Sequence, residues 1–384
     1  MSLELNEIAG KTTKARVYFI DNLRVFLTLL VVLHHIAITY GSNGSWYYLE
    51  HTNSVVTNTV LSLFTSMNQM FFMGLFFLIS GYFTPASYNR KGFAAFIKDR
   101  LIRLGVPLIL FMFTVIPVLE YIKYTTTTGS KISFWDFYSY NTLHFRNLPP
   151  GHLWFIEALL LFSILYALIR FVSKNRENKV PENKILLSNL KIVIFVTLLA
   201  IFTFLTRIWF KMGEEVFHVQ IAYFPQYISL FIIGIAAYHN DWLQNIKNSV
   251  GKTWIAIAAA DFILLEIGLG TLGLYNNIKP FQGGLDLHSL FLSFHQAFFS
   301  VGMCISMLYV FKKRYNRQGW VSRILGGDAY TVYIIHAPIV VFVAILFRGI
   351  LLYPFIKFII VSLVSLLICF AVSHYIIRKI TSKI

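Results

Sequence analysis

The sequence predicts an all-α, polytopic integral membrane protein of about ten transmembrane helices, with its N- and C-termini in the cytoplasm. Three observations carry this reading. The 384 residues have a mean hydropathy of +0.65, with 57% hydrophobic and 13% charged residues, a balance foreign to a water-soluble fold. The apolar residues gather into runs long enough, at ~1.5 Å rise per residue, to cross the hydrocarbon core. The basic residues lie between those runs and favour alternate loops.

The predicted spans are 17–40, 59–82, 105–124, 152–172, 192–210, 221–238, 253–274, 288–311, 329–347 and 354–377. Residues 1–16 and 378–384 are then a cytoplasmic N-terminal segment and a cytoplasmic tail around a transmembrane domain at 17–377. With the N-terminus inside, the cytoplasmic segments hold Lys11, Lys14 and Arg16; Arg90, Lys91, Lys98, Arg100 and Arg103; and Arg170, Lys174, Arg176, Lys179, Lys184 and Lys191. They go on to Lys247 and Lys252; Lys312, Lys313, Arg314, Arg317 and Arg323; and Arg378, Lys379 and Lys383. These are 24 of the 33 Lys and Arg, which suits an even number of spans with both ends inside. The same distribution removes nucleic acid as the meaning of the net charge of +16, because the cations sit in short loops between apolar runs. The polar N-terminal segment leads into a long first span without a small-residue cleavage site, so that span is expected to act as an uncleaved anchor.

Two outer loops stand out. One is "GSNGSWYYLEHTNS" and the other, at about 125–151, is "TTTTGSKISFWDFYSYNTLHFRNLPPG". Aromatics beside a membrane commonly form the interfacial belt; with amides and hydroxyls around them they also make platforms for a sugar. The two cysteines, Cys304 and Cys369, fall within spans and form no disulfide or metal spacing, which assigns them to packing.

The first span carries the most unusual polar set. Arg24 and His35 are eleven residues apart, three turns and a little more, so they share a face about 16 Å long. Asp21 joins that face one turn earlier and can pair with Arg24 at i,i+3. His34 points about 100° away, which gives the two imidazoles different neighbours. Snorkelling accounts for Arg24, but two histidines deep in an apolar run must be satisfied by other helices or be used.

"YFIDNLRVFLTLLVVLHH" resembles the opening helix of the acyltransferase 3 family, bacterial membrane enzymes that acylate hydroxyls of envelope molecules. Arg24 and His35 match its arginine, ten residues, histidine signature; Arg100 and Arg103 in "FIKDRLIRLGVP" match its pair of arginines. "FFLISGYF" at 76–83, "GHLWFIEALLLF" at 151–162 and "YTVYIIHAPI" at 330–339 are further points of similarity. The pairing of "HHIAITYG" with "SWYY" is similar to the branch that contains glucan-modifying succinyltransferases. No appended extracellular esterase-like domain is evident in the chain.

The resemblance implies transfer of an acetyl or succinyl group from cytoplasmic acyl-CoA, as cosubstrate, to a hydroxyl of a cell-envelope or exported glycan. No tightly bound cofactor or metal is implied. Arg100 and Arg103, i,i+3 on one helical face, are expected to grip CoA phosphates with forked donors. Arg24 contacts the diphosphate or steadies the donor through Asp21. His35 is the expected general base, with an acyl-histidine as the competing route. His34, Glu157 and His336 are candidates for the cavity and the acceptor; Pro338 is expected to kink the helix of His336. Asp261, Glu266, His295 and Arg207 are intramembrane polar residues without an assigned role. A secondary transporter with a proton relay is the alternative, yet it calls for paired broken helices in two related halves, and no internal repeat is evident. A non-enzymatic part in polysaccharide export is the third reading.

Overall fold

The computed structural model describes residues 17–50, 52–173, 184–273 and 277–377. Lys11, Lys14, Arg16, Lys174, Arg176, Lys179, Arg378, Lys379 and Lys383, and the terminal segments 1–16 and 378–384, lie outside the described residues. Among the described residues the protein is a bundle of helices, and its only extended pairing is the isolated bridge between Val216 and Val219. Among the described residues nine helices are long and apolar enough to span a membrane, and one further pair, bent where its two halves meet, passes the same test when taken together.

In chain order the long helices are α1 (Tyr18–Thr39), α2 (Val55–Lys91), α7 (Trp154–Val172), α8 (Asn189–Trp209), α9 (Phe224–His239), α10 (Asn248–Thr271), α12 (Leu287–Arg314), α13 (Trp320–Leu346) and α14 (Pro354–Val372). Between α2 and α7 come α3 (Phe93–Arg100), α4 (Val106–Phe113), α5 (Val115–Thr128) and the short α6 (Phe134–Tyr138); α11 (Lys279–Gln282) precedes α12. Most predicted spans recur within a few residues. α2 and α13 reach well beyond the predicted 59–82 and 329–347, because hydropathy registers the lipid-buried part of a helix and these two continue into polar turns. Ser54 caps α2 by accepting from the Thr57 N–H, and Gly92, with φ of 75°, ends it.

The third span differs most from 105–124. It starts at Phe93, widens into a π turn at Leu101–Gly105, and bends by 42° at Thr114. Two prolines explain the irregularity. Pro107 and Pro117 have no N–H, so the Arg103 and Phe113 carbonyls four residues earlier lose their helical donors. Tyrosines supply the missing hydrogens: Tyr330 OH donates to the Arg103 carbonyl, and Tyr138 OH to the Phe113 carbonyl at 2.9 Å. In lipid such carbonyls must be satisfied by neighbouring protein.

Small residues allow the closest helix contact. A Cβ on Gly81 would lie 2.1 Å from the Phe231 carbonyl oxygen, and one on Gly234 would lie 2.1 Å from the Leu78 oxygen, so α2 and α9 cross backbone to backbone. At one end of the bundle, Asn22 Nδ2 donates to the Tyr315 and Arg317 carbonyls, and His374 Nδ1 lies 3.0 Å from Asp328 Oδ2. These bonds gather the start of α1, the α12–α13 turn and the end of the last helix into one layer, rich in Lys and Arg, here called the basic end. At the other end Lys357, 2% exposed, pairs with Glu50 and ties α14 to the loop after α1.

Candidate active site

The end of the bundle opposite the basic end opens into a cavity of about 960 Å³. α1 contributes Val31, His34 and His35; the loop after it contributes Trp46 and Tyr47; α2 contributes Gln69; and a 3-10 turn at Gly151–Leu153 contributes His152. Tyr223, Tyr227, Gln296 and Tyr333 also line it, as do the titratable Glu120, Lys123, Glu215, His218 and Glu266. Amides, hydroxyls and aromatic faces in one concave surface can hydrogen-bond and stack on a polyhydroxylated ligand.

His35 is half-buried at the wall. Trp46 lies flat on it, with ring centres 3.8 Å apart and planes 12° apart. His336, fully buried on α13, has its ring centre 5.3 Å from that of His35 at 17°, and 6.1 Å from that of Trp46. These separations put Trp46 and His336 nearly at right angles about His35, so His336 sits beside the ring and Trp46 over its face. His152 lies edge-on to His336, 5.1 Å away at 84°. His34 has other neighbours: it stacks on Phe72 at 5.1 Å and meets His35 edge-on at 5.4 Å.

The local backbone explains why these rings meet. The loop after α1 folds back through the Glu50 N–H to the Thr39 carbonyl, 2.8 Å, and the Lys357 pair, which lays Trp46 on His35. Gly151, with φ of 56°, packs so closely on Tyr47 that a Cβ would lie 2.1 Å from its hydroxyl. That oxygen accepts the His152 N–H at 3.2 Å, and Tyr333 OH donates to the His152 carbonyl at 2.6 Å.

The structure therefore brings His34, His35 and His336 together and adds His152 and Trp46, which sequence reasoning did not single out. Their signals were present, since both lie in stretches already noted: "GHLW" right after the Pro-Pro-Gly break, and "SWYY". Trp46 and Tyr47 are buried in the site, whereas Trp135, Tyr140 and Phe145 of the second aromatic loop are exposed and do not line the cavity. Glu157 is half-buried in the first turn of α7, outside the cavity lining, and its Oε2 is buried without a partner among the described residues.

The remaining sequence candidates lie toward the basic end. Asp21 and Arg24 approach to 4.0 Å, at the limit of an ion pair. Arg100 and Arg103 flank the start of the π turn. The Arg100 guanidinium lies over Phe96 at 4.8 Å, and Arg103 Nε meets Asp99 at 2.9 Å, where Lys91 Nζ also binds at 2.6 Å. None of Arg24, Arg100 and Arg103 lines the cavity, which stops on α1 at Val31, ~10 Å along the helix from Arg24. Leu27 and Thr28, between them, are packed shut. Of the polar residues without an assigned role, Asp261 and His295 bind each other at 2.8 Å, Arg207 bonds Ser293 and Gln296, and Glu266 lines the cavity.

An acyltransferase-domain family model, acyltransferase 3, matches residues 17–374. Curated relatives carry the name "Glucans biosynthesis protein C". The one from Shigella dysenteriae serotype 1 is 30% identical over 263 residues, and the one from Escherichia coli O6:K15:H31 is 29% identical over 263 residues. Each alignment covers 65% of this chain and 65% of the relative. The relative from Salmonella schwarzengrund is 29% identical over 238 residues, 58% of each chain. The chain thus spans under two thirds of the length of these relatives, and no solved structure matches it.

Proposed function

The chain belongs to the acyltransferase 3 family, and on that premise we propose that it transfers an acyl group from acyl-CoA, acetyl or succinyl, to a hydroxyl of a glucan held in the cavity. It is a multi-pass protein of the bacterial inner membrane. The observation that carries the reading is His35: the histidine that fits the family signature is also the one stacked on Trp46 at the wall of a polar, aromatic cavity. Glucan as acceptor is taken from the relatives' printed name and suits the lining chemistry.

In the proposed reaction His35 Nε2 accepts the hydroxyl proton while the oxygen attacks the thioester carbonyl. The C–S bond then breaks, and the CoA sulfur leaves with the proton returned by the imidazolium. Direct transfer needs no acyl-enzyme, because donor and acceptor reach the same ring from opposite ends of the bundle. CoA phosphates bind at the basic end on Arg100 and Arg103, with Lys91 close by and Arg24 nearer the thioester. Asp21 steadies Arg24. The pantetheine arm crosses the ~16 Å from Arg24 to His35, and it must part the packed stretch around Leu27 and Thr28 on the way.

The test is acyl transfer from labelled acetyl-CoA or succinyl-CoA to glucan oligosaccharides in inner-membrane vesicles. His35→Ala is expected to abolish product while expression and thermal unfolding stay near those of the parent. Full transfer by a folded His35→Ala protein removes His35 as the base. Movement of glucan across the membrane without acyl-CoA would favour transport instead.

A further inference from the structure

Two of the four clustered imidazoles have already committed their hydrogens. His336 Nδ1 donates to the Tyr333 carbonyl at 2.6 Å, and His152 Nε2 donates to the Ile334 carbonyl at 2.9 Å. A carbonyl oxygen only accepts, so in the neutral rings His336 Nε2 and His152 Nδ1 are bare lone pairs. Both are buried without a partner among the described residues, and so is His35 Nδ1.

The two carbonyls are consecutive in α13, and the second lacks its helical donor for a covalent reason. Pro338 is four residues after Ile334 and has no N–H to give it. Pro107 and Pro117 leave the same kind of vacant carbonyl, filled in each case by a tyrosine hydroxyl. At Pro338 the vacancy is filled by a ring of the candidate site.

We propose that the Tyr333–Pro338 segment sets the tautomers of His336 and His152, and that His336 thereby becomes the positioning residue that accepts the Nδ1–H of His35. The two nitrogens do not bond in this conformation, but they are complementary and adjacent: each is buried without any other partner among the described residues, on rings whose centres are 5.3 Å apart with planes 17° apart, so a rotation of either imidazole about its own axis is what joins them. A hydrogen on His35 Nδ1 leaves the lone pair on Nε2, the nitrogen proposed above to take the hydroxyl proton. When it does, no hydrogen leaves Nδ1, and His336 Nε2 stabilises the imidazolium through the same bond. His152 is the potential competitor. Released from Ile334, its N–H is free to turn to His336 Nε2 and occupy that lone pair. Pro338 prevents this by keeping the carbonyl open for His152. The proposal rests on His35 being the base.

Pro338→Ala gives Ile334 its helical donor back. In protein labelled with 15N-histidine in bilayers, the parent is expected to show His152 as the Nε2–H and His336 as the Nδ1–H neutral tautomer. Pro338→Ala should add a second His152 population and lower kcat about tenfold, the worth of one buried hydrogen bond, with the acceptor KM within about twofold. On a His152→Ala background the same proline change should cost nothing further, because the competitor is gone. His336→Gln should recover most of the kcat lost in His336→Ala, since an amide keeps a donor for Tyr333 and an acceptor for His35. An unchanged spectrum in Pro338→Ala, additive losses in the double variant, or equal activity of the two His336 variants overturns the proposal. The spectrum is read without turnover, so it separates a wrong tautomer assignment from a wrong base.

Discussion

Trp46→Ala tests whether His35 is held ready by its neighbours. Trp46 is 5% exposed and covers one face of His35 at 3.8 Å. An aromatic contact of this kind contributes about 0.5–1.5 kcal/mol beyond its buried area, and that energy is what holds the imidazole in one orientation. Removing it should lower kcat about tenfold, about 1.4 kcal/mol in the barrier. Trp46→Phe separates the face from the indole N–H. Trp46 Nε1 is buried without a partner among the described residues, so within the protein its loss breaks no hydrogen bond. The phenylalanine protein should therefore stay within about threefold of the parent, since most of the stacking contact remains. Steady-state transfer in vesicles gives kcat, and intrinsic fluorescence on heating reports folding. A folded Trp46→Ala protein with parental kcat would show that the stack does not position the base. Equal losses in the Ala and Phe variants would mean that a phenyl ring does not replace the indole over His35, and the stacking account would fail.

Two further outcomes follow from the geometry at the basic end and at the helix crossing. Arg100→Ala with Arg103→Ala should raise the acyl-CoA KM by tenfold or more while kcat at saturation changes little, and unchanged donor affinity by equilibrium binding would remove the phosphate assignment. Gly81→Ala should cost roughly 1–3 kcal/mol, because its Cβ would meet the Phe231 carbonyl at 2.1 Å and backbone cannot rotate away. Gly105→Ala, whose Cβ finds nothing nearer than 3.7 Å, should be close to neutral in the same thermal-unfolding assay.

The spans were legible because lipid imposes one rule, an apolar stretch of fixed length, and that rule is local in sequence. The first helix was legible for the same reason: Asp21, Arg24 and His35 stand out against Leu and Val, and helical spacing alone puts them on one face. Where reading failed, the cause was an interaction between distant residues. The π turn at Leu101–Gly105 depends on Pro107 and on a hydroxyl from Tyr330, 227 positions away from Arg103. His152 was missed because a histidine next to a Pro-Pro-Gly break reads as loop, and only the folded chain brings it to α13.

The irregular prolines and the missed histidine are parts of one physical account. Hydropathy locates helices but is silent on how they are oriented about their axes, since every lipid-facing side chain is equivalent to it. A proline inside a span breaks that degeneracy. It leaves one carbonyl at a known position, four residues back, which must find a donor on a neighbouring helix or loop. Pro107, Pro117 and Pro338 find Tyr330, Tyr138 and His152 respectively. Each pairing fixes which faces meet: the start of the third span against α13, α4 against α6, and α13 against the turn before α7. A sequence search for donors opposite residue i−4 of Pro107, Pro117 and Pro338 would have restricted the packing, and at Pro338 it would have pointed to the ring that completes the histidine cluster.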